Sequence, residues 1–316
     1  MTTSGGIAIH DLSIDEKESL KRATAPGMSP HSANGPGEFI ENCQRIAAGL
    51  PEVFQSWSTC AHMQKIGLLR NLPIDTPIPP TPLMKDARSN RRMFVDGVIG
   101  ILASLFGEIY TIEGKSQNQL IQDIHPVSGD EYTQLGSSSK SELDWHVEEA
   151  FHPHRPSWLL LLCLRGDSHA ITKLARLSDF GVDAGQLDSF RRSRFRIRVD
   201  ETYWNGAESL EVNIPIITGS ASDPQIVLDP AYTVMEDEED NTTIAAIKNV
   251  ADRVQLQVVL APGDCLVFDN RRVLHARSPF NPRMDGSDRW LKRVFTLEDC
   301  KEHPKPKNGL IPFFIA

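Results

Sequence analysis

Apolar and polar positions alternate along this chain in two regimes, with the change at about residue 110. In the first regime the spacing is mostly helical. SIDEKESLKRA opens on Ser13 with Glu16 three residues later, a capping-box pattern that starts a helix. EFIENCQRIAAGL places Phe39, Ile40, Cys43, Ile46 and Leu50 at helical intervals, and RRMFVDGVIGILASLFGEIY reads as one strongly apolar, buried helix. Between the first two helices, Ala23–Gly37 is rich in Pro, Gly and Ser and reads as a linker or loop. LLRNLPID is a short strand candidate, and the proline-rich DTPIPPTP after it is irregular.

Beyond Tyr110 the apolar runs shorten and turn signals separate them. LIQDIHPV, LDWHVEEAF, SWLLLLCLR, AITKLARL, RFRIRV, LEVNIPIIT, PQIVLD, VQLQVVLA, DCLVFDN, RVLHAR and WLKRVFTL each predict a strand. Helices are expected at SDFGVDAGQLDSF and DNTTIAAIKNVADRV. Many short strands after a helical lead-in predict a mainly β chain, a sandwich or open barrel with helices packed outside it. No internal repeat is visible.

Composition narrows the class. The chain has 316 residues, 40% of them hydrophobic and 24% charged, which suffices for a sizeable core. A net charge of −9 argues against a nucleic-acid or anionic-membrane partner, both of which need a cationic surface. RRSRFRIR (Arg191–Arg198) is the one basic run, expected as the solvated face of an edge strand; EDEED (Glu236–Asp240) is expected as an exposed loop or helix start. Cys43, Cys60, Cys163, Cys265 and Cys300 are scattered and odd in number, which predicts reduced thiols. No stretch is long and apolar enough to span a bilayer, and MTTSGGIAIHDLSIDEKESLK lacks the order of a secretory signal, so a cytoplasmic protein is expected.

The chemistry concentrates in LDWHVEEAFHPHR (Leu143–Arg155), immediately before SWLLLLCLR. On a strand, side chains alternate, so His146 and Glu148 share a face and Glu149 takes the other. A nitrogen and an oxygen donor plus one more imidazole complete a 2-His-1-carboxylate triad, which leaves open positions on non-haem Fe(II). APGDCLVFDNRRVLHARSPF supplies that third donor in His275, on a later strand. Fourteen residues on, Arg289 in DGSDRWLKRVF offers a bidentate fork for a carboxylate. Together these suit the chelation and anchoring of an α-keto acid. His152 and His154 lie in His-Pro-His-Arg-Pro, which reads as a proline-shaped turn rather than a ligand pair.

LDWHVEEAFHPHRPSWLLLLCLRGD together with PGDCLVFDNRRVLHARSPF and RWLKRVF resembles the clavaminate synthase-like Fe(II)/2-oxoglutarate-dependent oxygenases. The resemblance runs from about Leu68 to Phe295 and is nearest to the hydroxylases of free arginine, asparagine and lysine. It implies a double-stranded β-helix (jelly-roll, cupin-like) core with flanking helices. The first sixty residues carry little of the resemblance, and the chain is expected to consist of an N-terminal helical segment and linker, 1–60, packed on an oxygenase domain, 61–316, a single catalytic domain overall. Fe(II) is implied on His146, Glu148 and His275, with 2-oxoglutarate held by Arg289 and Thr172 and with O2 as co-oxidant. An amino-acid substrate is implied on Gln122, Glu148, Asp229 and Arg293: Arg293 for the α-carboxylate, Glu148 for the α-amine, Gln122 for the polar head and Asp229 for a cationic side chain.

Val227 stands where arginine hydroxylases carry a second acid, a departure that bears on side-chain specificity. Because the carboxylate ligand is present, hydroxylation is expected rather than the halogenation of relatives that lack it. The same chemistry on a carrier-bound or peptide-bound substrate, desaturation, and a non-catalytic metal-binding jelly roll remain open at this point.

Overall fold

The computed structural model describes residues 2–33, 35–84, 92–181, 185, 190, 191, 194–199, 211–235, 238–298 and 305–313. In chain order its strands are β1 (Thr2–Ser4), β2 (Ile7–Asp11), β3 (Ile66–Arg70), β4 (Glu108–Ile112), β5 (Ile121–Ile124) and β6 (Leu143–His146). There follow β7 (Trp158–Arg165), β8 (Thr172–Arg176), β9 (Arg194–Arg198), β10 (Glu211–Pro215), β11 (Ile217–Gly219) and β12 (Pro224–Ile226). The last six are β13 (Thr233–Val234), β14 (Leu256–Val258), β15 (Cys265–Asp269), β16 (Val273–Arg277), β17 (Trp290–Leu297) and β18 (Leu310–Ile311). The α-helices described are α1 (Ile14–Ala23), α2 (Gly35–Ala48), α3 (Glu52–Gln64), α4 (Phe94–Ala103) and α5 (Glu238–Val254).

Two sheets face one another as a double-stranded β-helix. The major sheet runs β1-β2-β3-β15-β7-β17-β4-β18, with β5 also paired to β17, and the minor sheet runs β14-β8-β16-β6. Strand β7, WLLLLCLR, is apolar on both faces because both are covered, as such a run requires. Leu160, Leu162 and Leu164 pack under the helices, while Leu159, Leu161 and Cys163 face the space between the sheets. Strand β17 divides the same way, with Trp290 and Val294 outward and Leu291 and Phe295 inward. The outer face of the minor sheet lies under β9–β13 and α5, where Leu274 and Ala276 of β16 join a further core with Ile197, Ile244 and Ile247. The layers are therefore helices, major sheet, minor sheet and insert.

Local differences from the sequence reading have physical causes. The capping box forms as expected, Glu16 accepting from the Ser13 backbone N–H at 2.8 Å. The residues ahead of it are not helical: β2 pairs in parallel with β3, and Trp57 Nε1 donates to the Ala8 carbonyl at 3.1 Å. Helix α4 ends at Ala103 instead of running to Tyr110. Gly107 turns the chain into β4 at φ 137°, where a Cβ would meet the Leu297 carbonyl oxygen at 2.2 Å. Strand β9 is no edge; it is the middle of a three-stranded sheet between β10 and β13. SDFGVDAGQLDSF gives a short 3-10 turn at Leu177–Asp179, and most of the rest lies outside the described residues.

Cys43, Cys60, Cys163 and Cys265 are free thiols, while Cys300 lies outside the described residues. Burial pushes the Cys163 thiol up to about 12. No helix among the described residues is long and apolar enough to cross a membrane.

Candidate active site

Strands β6 and β16 are antiparallel neighbours, and His146 and His275 are direct partners across them. Cross-strand partners project to the same face, which brings two imidazoles separated by 129 positions of sequence to a ring-centroid distance of 4.1 Å. Strand β6 stops at His146, so Glu148 is not held by strand pairing, as simple alternation would have it. Instead the Val147 N–H donates to the Leu228 carbonyl at 2.9 Å, and the Glu148 N–H donates to Asn270 Oδ1 at 2.8 Å. Asn270 Nδ2 returns to the Glu148 carbonyl at 3.1 Å. Glu149 then turns the chain with a left-handed φ of 55°. The three donors converge nonetheless: Glu148 Oε1 lies 4.0 Å from His146 Nε2 and 3.8 Å from His275 Nε2.

The protonation pattern suits a cation. His146 Nδ1 lies 2.7 Å from the Asp144 carbonyl, which can only accept, so Nδ1 carries the proton and Nε2 presents its lone pair. Burial pulls the His146 pKa down, and His275 adds to this against the opposing pull of Asp229 and Glu148. Burial alone would raise the Glu148 carboxyl, but Arg293 and the two imidazoles outweigh it and hold it far below the usual carboxylate range. A neutral imidazole at His146 and an ionised carboxylate at Glu148 are forms that bind metal. One donor atom from each of the three lies within 4.8 Å of the others, so this set fits a small divalent ion.

A cavity between the sheets opens beside the three donors. Arg289, one residue before β17, and Arg293 within it share the inward face of that strand and line this cavity. Arg289 is buried, and among the described residues no carboxylate pairs with it. A buried guanidinium facing a cavity in that condition is a site for an anionic ligand. Its guanidinium carbon lies 5.9 Å from the centre of the Phe280 ring, a weak cation–π contact in place of an ion pair. Thr172, at the start of β8, lines the same cavity. The fit to a dicarboxylate cosubstrate rests on this cation.

Arg293 donates to Glu148 Oε1 and, through Nε at 3.0 Å, to Gln122 Oε1. Gln122 sits opposite Arg293 in the β5–β17 register, is buried, and does not itself line the cavity. Asp229 does line it, on a turn in which its carbonyl accepts from the Thr233 N–H at 2.9 Å. His152 and His154 follow the turn at Glu149 and stay out of the donor cluster.

Sequence reasoning misses some of the participants. Asn270, the anchor for Glu148, looks like an ordinary turn residue in VFDNRR. Lys115 lines the cavity and pairs with buried Glu149 at 2.9 Å. Arg277 also lines it, and its signal is available in the sequence: two positions past His275 on a strand means the same face.

Known proteins resemble this chain over most of its length. Residues 183–295 match a family model described as taurine catabolism dioxygenase TauD, TfdA family. Enduracididine beta-hydroxylase of Streptomyces hygroscopicus is 30% identical over 251 residues, 72% of this chain and 71% of that protein. L-lysine 3-hydroxylase of Catenulispora acidiphila is 30% identical over 312 residues, 92% of this chain and 84% of that protein. A crystal structure of asparagine oxygenase with Fe(II), 2S,3S-3-hydroxyasparagine and succinate superposes with a TM-score of 0.87 at 25% identity, over 97% of this chain and 100% of that one.

Proposed function

The chain belongs to the TauD/TfdA family of Fe(II)/2-oxoglutarate-dependent oxygenases, and from that membership we propose that it hydroxylates an unactivated C–H bond of a free L-amino acid of the arginine or lysine type. The observation that carries the reading is the convergence of His146, Glu148 and His275 beside the buried Arg289, which forms no ion pair with a carboxylate among the described residues. His146 and His275 through Nε2 and Glu148 through its carboxylate hold the iron. Arg289 and Thr172 hold the far carboxylate of 2-oxoglutarate. With Fe(II), 2-oxoglutarate and O2 bound, the site supplies an oxidant that converts C–H to C–OH while 2-oxoglutarate becomes succinate and CO2.

The chain's own residues do the positioning. Arg293 and Glu148 set a fixed positive charge beside a fixed negative one in a buried cavity, a pattern complementary to a zwitterion whose carboxylate and ammonium share one carbon. Gln122 accepts from the Arg293 guanidinium and orients it toward that carboxylate. Asp229 supplies a negative charge to a cationic side chain. Of the other lining residues, Glu149 pairs with Lys115 and Asp123 with Lys292. The relatives named for a lysine and an enduracididine substrate support a basic amino acid.

The test is a screen with Fe(II), 2-oxoglutarate and the standard amino acids, joined by ornithine, citrulline, homoarginine and cyclic amino acids. Arginine or lysine is expected to raise succinate above the substrate-free level and to gain one oxygen atom by mass. Failure of every amino acid to do so overturns the reading. Asp229→Asn is expected to raise KM for the basic substrate about 30-fold, roughly 2 kcal/mol, the loss expected when one partner of a buried charge pair is neutralised. Substrate-free turnover of 2-oxoglutarate should persist in that variant. An unchanged KM would remove Asp229 from the substrate site.

A further inference from the structure

We propose that Arg277 is a positioning residue that couples the 2-oxoglutarate pocket to the substrate-facing loop of residues 125–142. The inference rests on the cosubstrate assignment at Arg289. The loop contains no regular strand or helix, yet Val127 and the Gln134–Ser137 stretch form part of the cavity wall. It folds on itself through the Glu131 carbonyl, which accepts from the N–H groups of Ser139, Lys140 and Ser141 at 3.2, 2.8 and 3.2 Å. It is tied to the barrel by the Asp144 N–H of β6, which donates to Gln134 Oε1 at 2.9 Å, by Lys173 of β8, which pairs with Glu142, and most extensively by β16 and its continuation. Arg277 Nη1 donates to the Ser138 carbonyl, and Nη2 donates to Ser138 Oγ at 3.1 Å and to the Ser141 carbonyl at 3.0 Å. The Phe280 N–H adds a bond to the Ser139 carbonyl at 2.8 Å.

All of these acceptors are neutral, and among the described residues no carboxylate pairs with Arg277. Its guanidinium lies 5.0 Å from the Phe280 ring centroid, on which Arg289 also bears at 5.9 Å. Two buried guanidiniums thus share one aromatic ring, and among the described residues no carboxylate forms an ion pair with either. Arg277 is also the cross-strand partner of Thr172, which lines the cosubstrate end of the cavity. A carboxylate docking at Arg289 and Thr172 offsets the repulsion between the two cations at low local dielectric. Arg277 is then stabilised where it stands, and the loop it holds is stabilised with it. Linkage makes the effect reciprocal: the clamped loop tightens 2-oxoglutarate, and 2-oxoglutarate fixes the wall that the amino acid meets.

The experiment is hydrogen exchange of residues 125–142 in the anaerobic Fe(II) protein, with and without 2-oxoglutarate, in wild type, R277K and R277M, paired with steady-state kinetics. In wild type, 2-oxoglutarate should slow exchange in the loop without any amino acid present. R277M should exchange fast in both conditions, with KM for 2-oxoglutarate and for the amino acid each raised roughly tenfold, within the usual range of site-to-site coupling. R277K keeps the charge but lacks the fork, so its loop should exchange fast and, by the same linkage, its KM for 2-oxoglutarate should rise, though less than in R277M, which loses the charge as well. Should R277M not fold, R277K carries the test alone through its loop exchange. A loop response to 2-oxoglutarate in R277M or R277K equal to that of wild type overturns the proposal. The exchange measurement needs no amino acid, so its failure is separable from a failure to find a substrate.

Discussion

Glu148→Ala is expected to lower turnover about a thousandfold or more, since even outer partners of a metal ligand are worth 10- to 100-fold and Glu148 is proposed as a ligand itself. Two consequences compound. The donor set falls to His146 and His275, and Arg293 loses the carboxylate it meets at Oε1. Glu148→Gln separates them. It retains an oxygen acceptor for Arg293 but lacks the charge that a divalent ion requires, so iron retention after anaerobic dialysis should fall in both variants. Residual binding of the amino acid should be the better of the two in Glu148→Gln. Wild-type succinate production by Glu148→Ala would end the assignment of the three donors to iron.

How much of such a site is legible in the chain alone depends on which interactions leave a local trace. His146, Glu148, His275 and Arg289 are legible because each sits in a short motif with fixed order, LDWHVEE and VLHAR and DRWLKR. Strand periodicity then says which neighbours share a face. The jelly-roll core is legible for the same reason: β7 and β15 are almost wholly apolar runs whose two faces are both covered. What leaves no trace is long-range. Gln122 reads as a substrate contact in the sequence, and nothing local shows that the β5–β17 register also sets it against Arg293. Asn270 fixes Glu148 across 122 positions of chain, and nothing in VFDNRR announces that partner. Thr2–Ser4 and Ile7–Asp11 become strands because β3 offers an open edge to β2, a tertiary decision that local propensity does not contain. Alternation alone would carry the strand through Glu149, but β6 stops at His146 and a left-handed turn follows at Glu149, whose carboxylate pairs with Lys115 from outside the segment.

Behind the proposed site, the opposite face of β17 carries a second feature of large energetic consequence. Lys292, between inward Leu291 and Arg293, points outward beneath α4 and is buried, with Nζ 2.8 Å from Asp123 and 3.3 Å from Asp96. Asp96 also accepts from Ser29 Oγ at 3.1 Å, and Asp123 from Trp290 Nε1 at 2.6 Å. Burial pushes the Asp96 carboxyl up; it opposes the charge on Lys292 too, but the two carboxylates outweigh it and hold that amine above its ordinary value. Lys292→Met removes the cation that the two acids share and leaves them facing each other under the helix. The expected cost is about 3–5 kcal/mol, the range for a buried pair broken on one side. It should appear as a lower urea midpoint and a loss of activity that follows the loss of fold. Asp96→Asn alone should cost less, because Lys292 keeps Asp123. Adding Asp96→Asn to Lys292→Met should recover part of the loss, since one stranded charge is removed with it; this non-additivity is the signature of groups in contact. If Lys292→Met unfolds within about 1 kcal/mol of wild type, below that buried-pair range, the group is not holding α4 to β17. In that event the strand that presents Arg289 and Arg293 draws its rigidity from the β7 pairing on one side and β4 and β5 on the other.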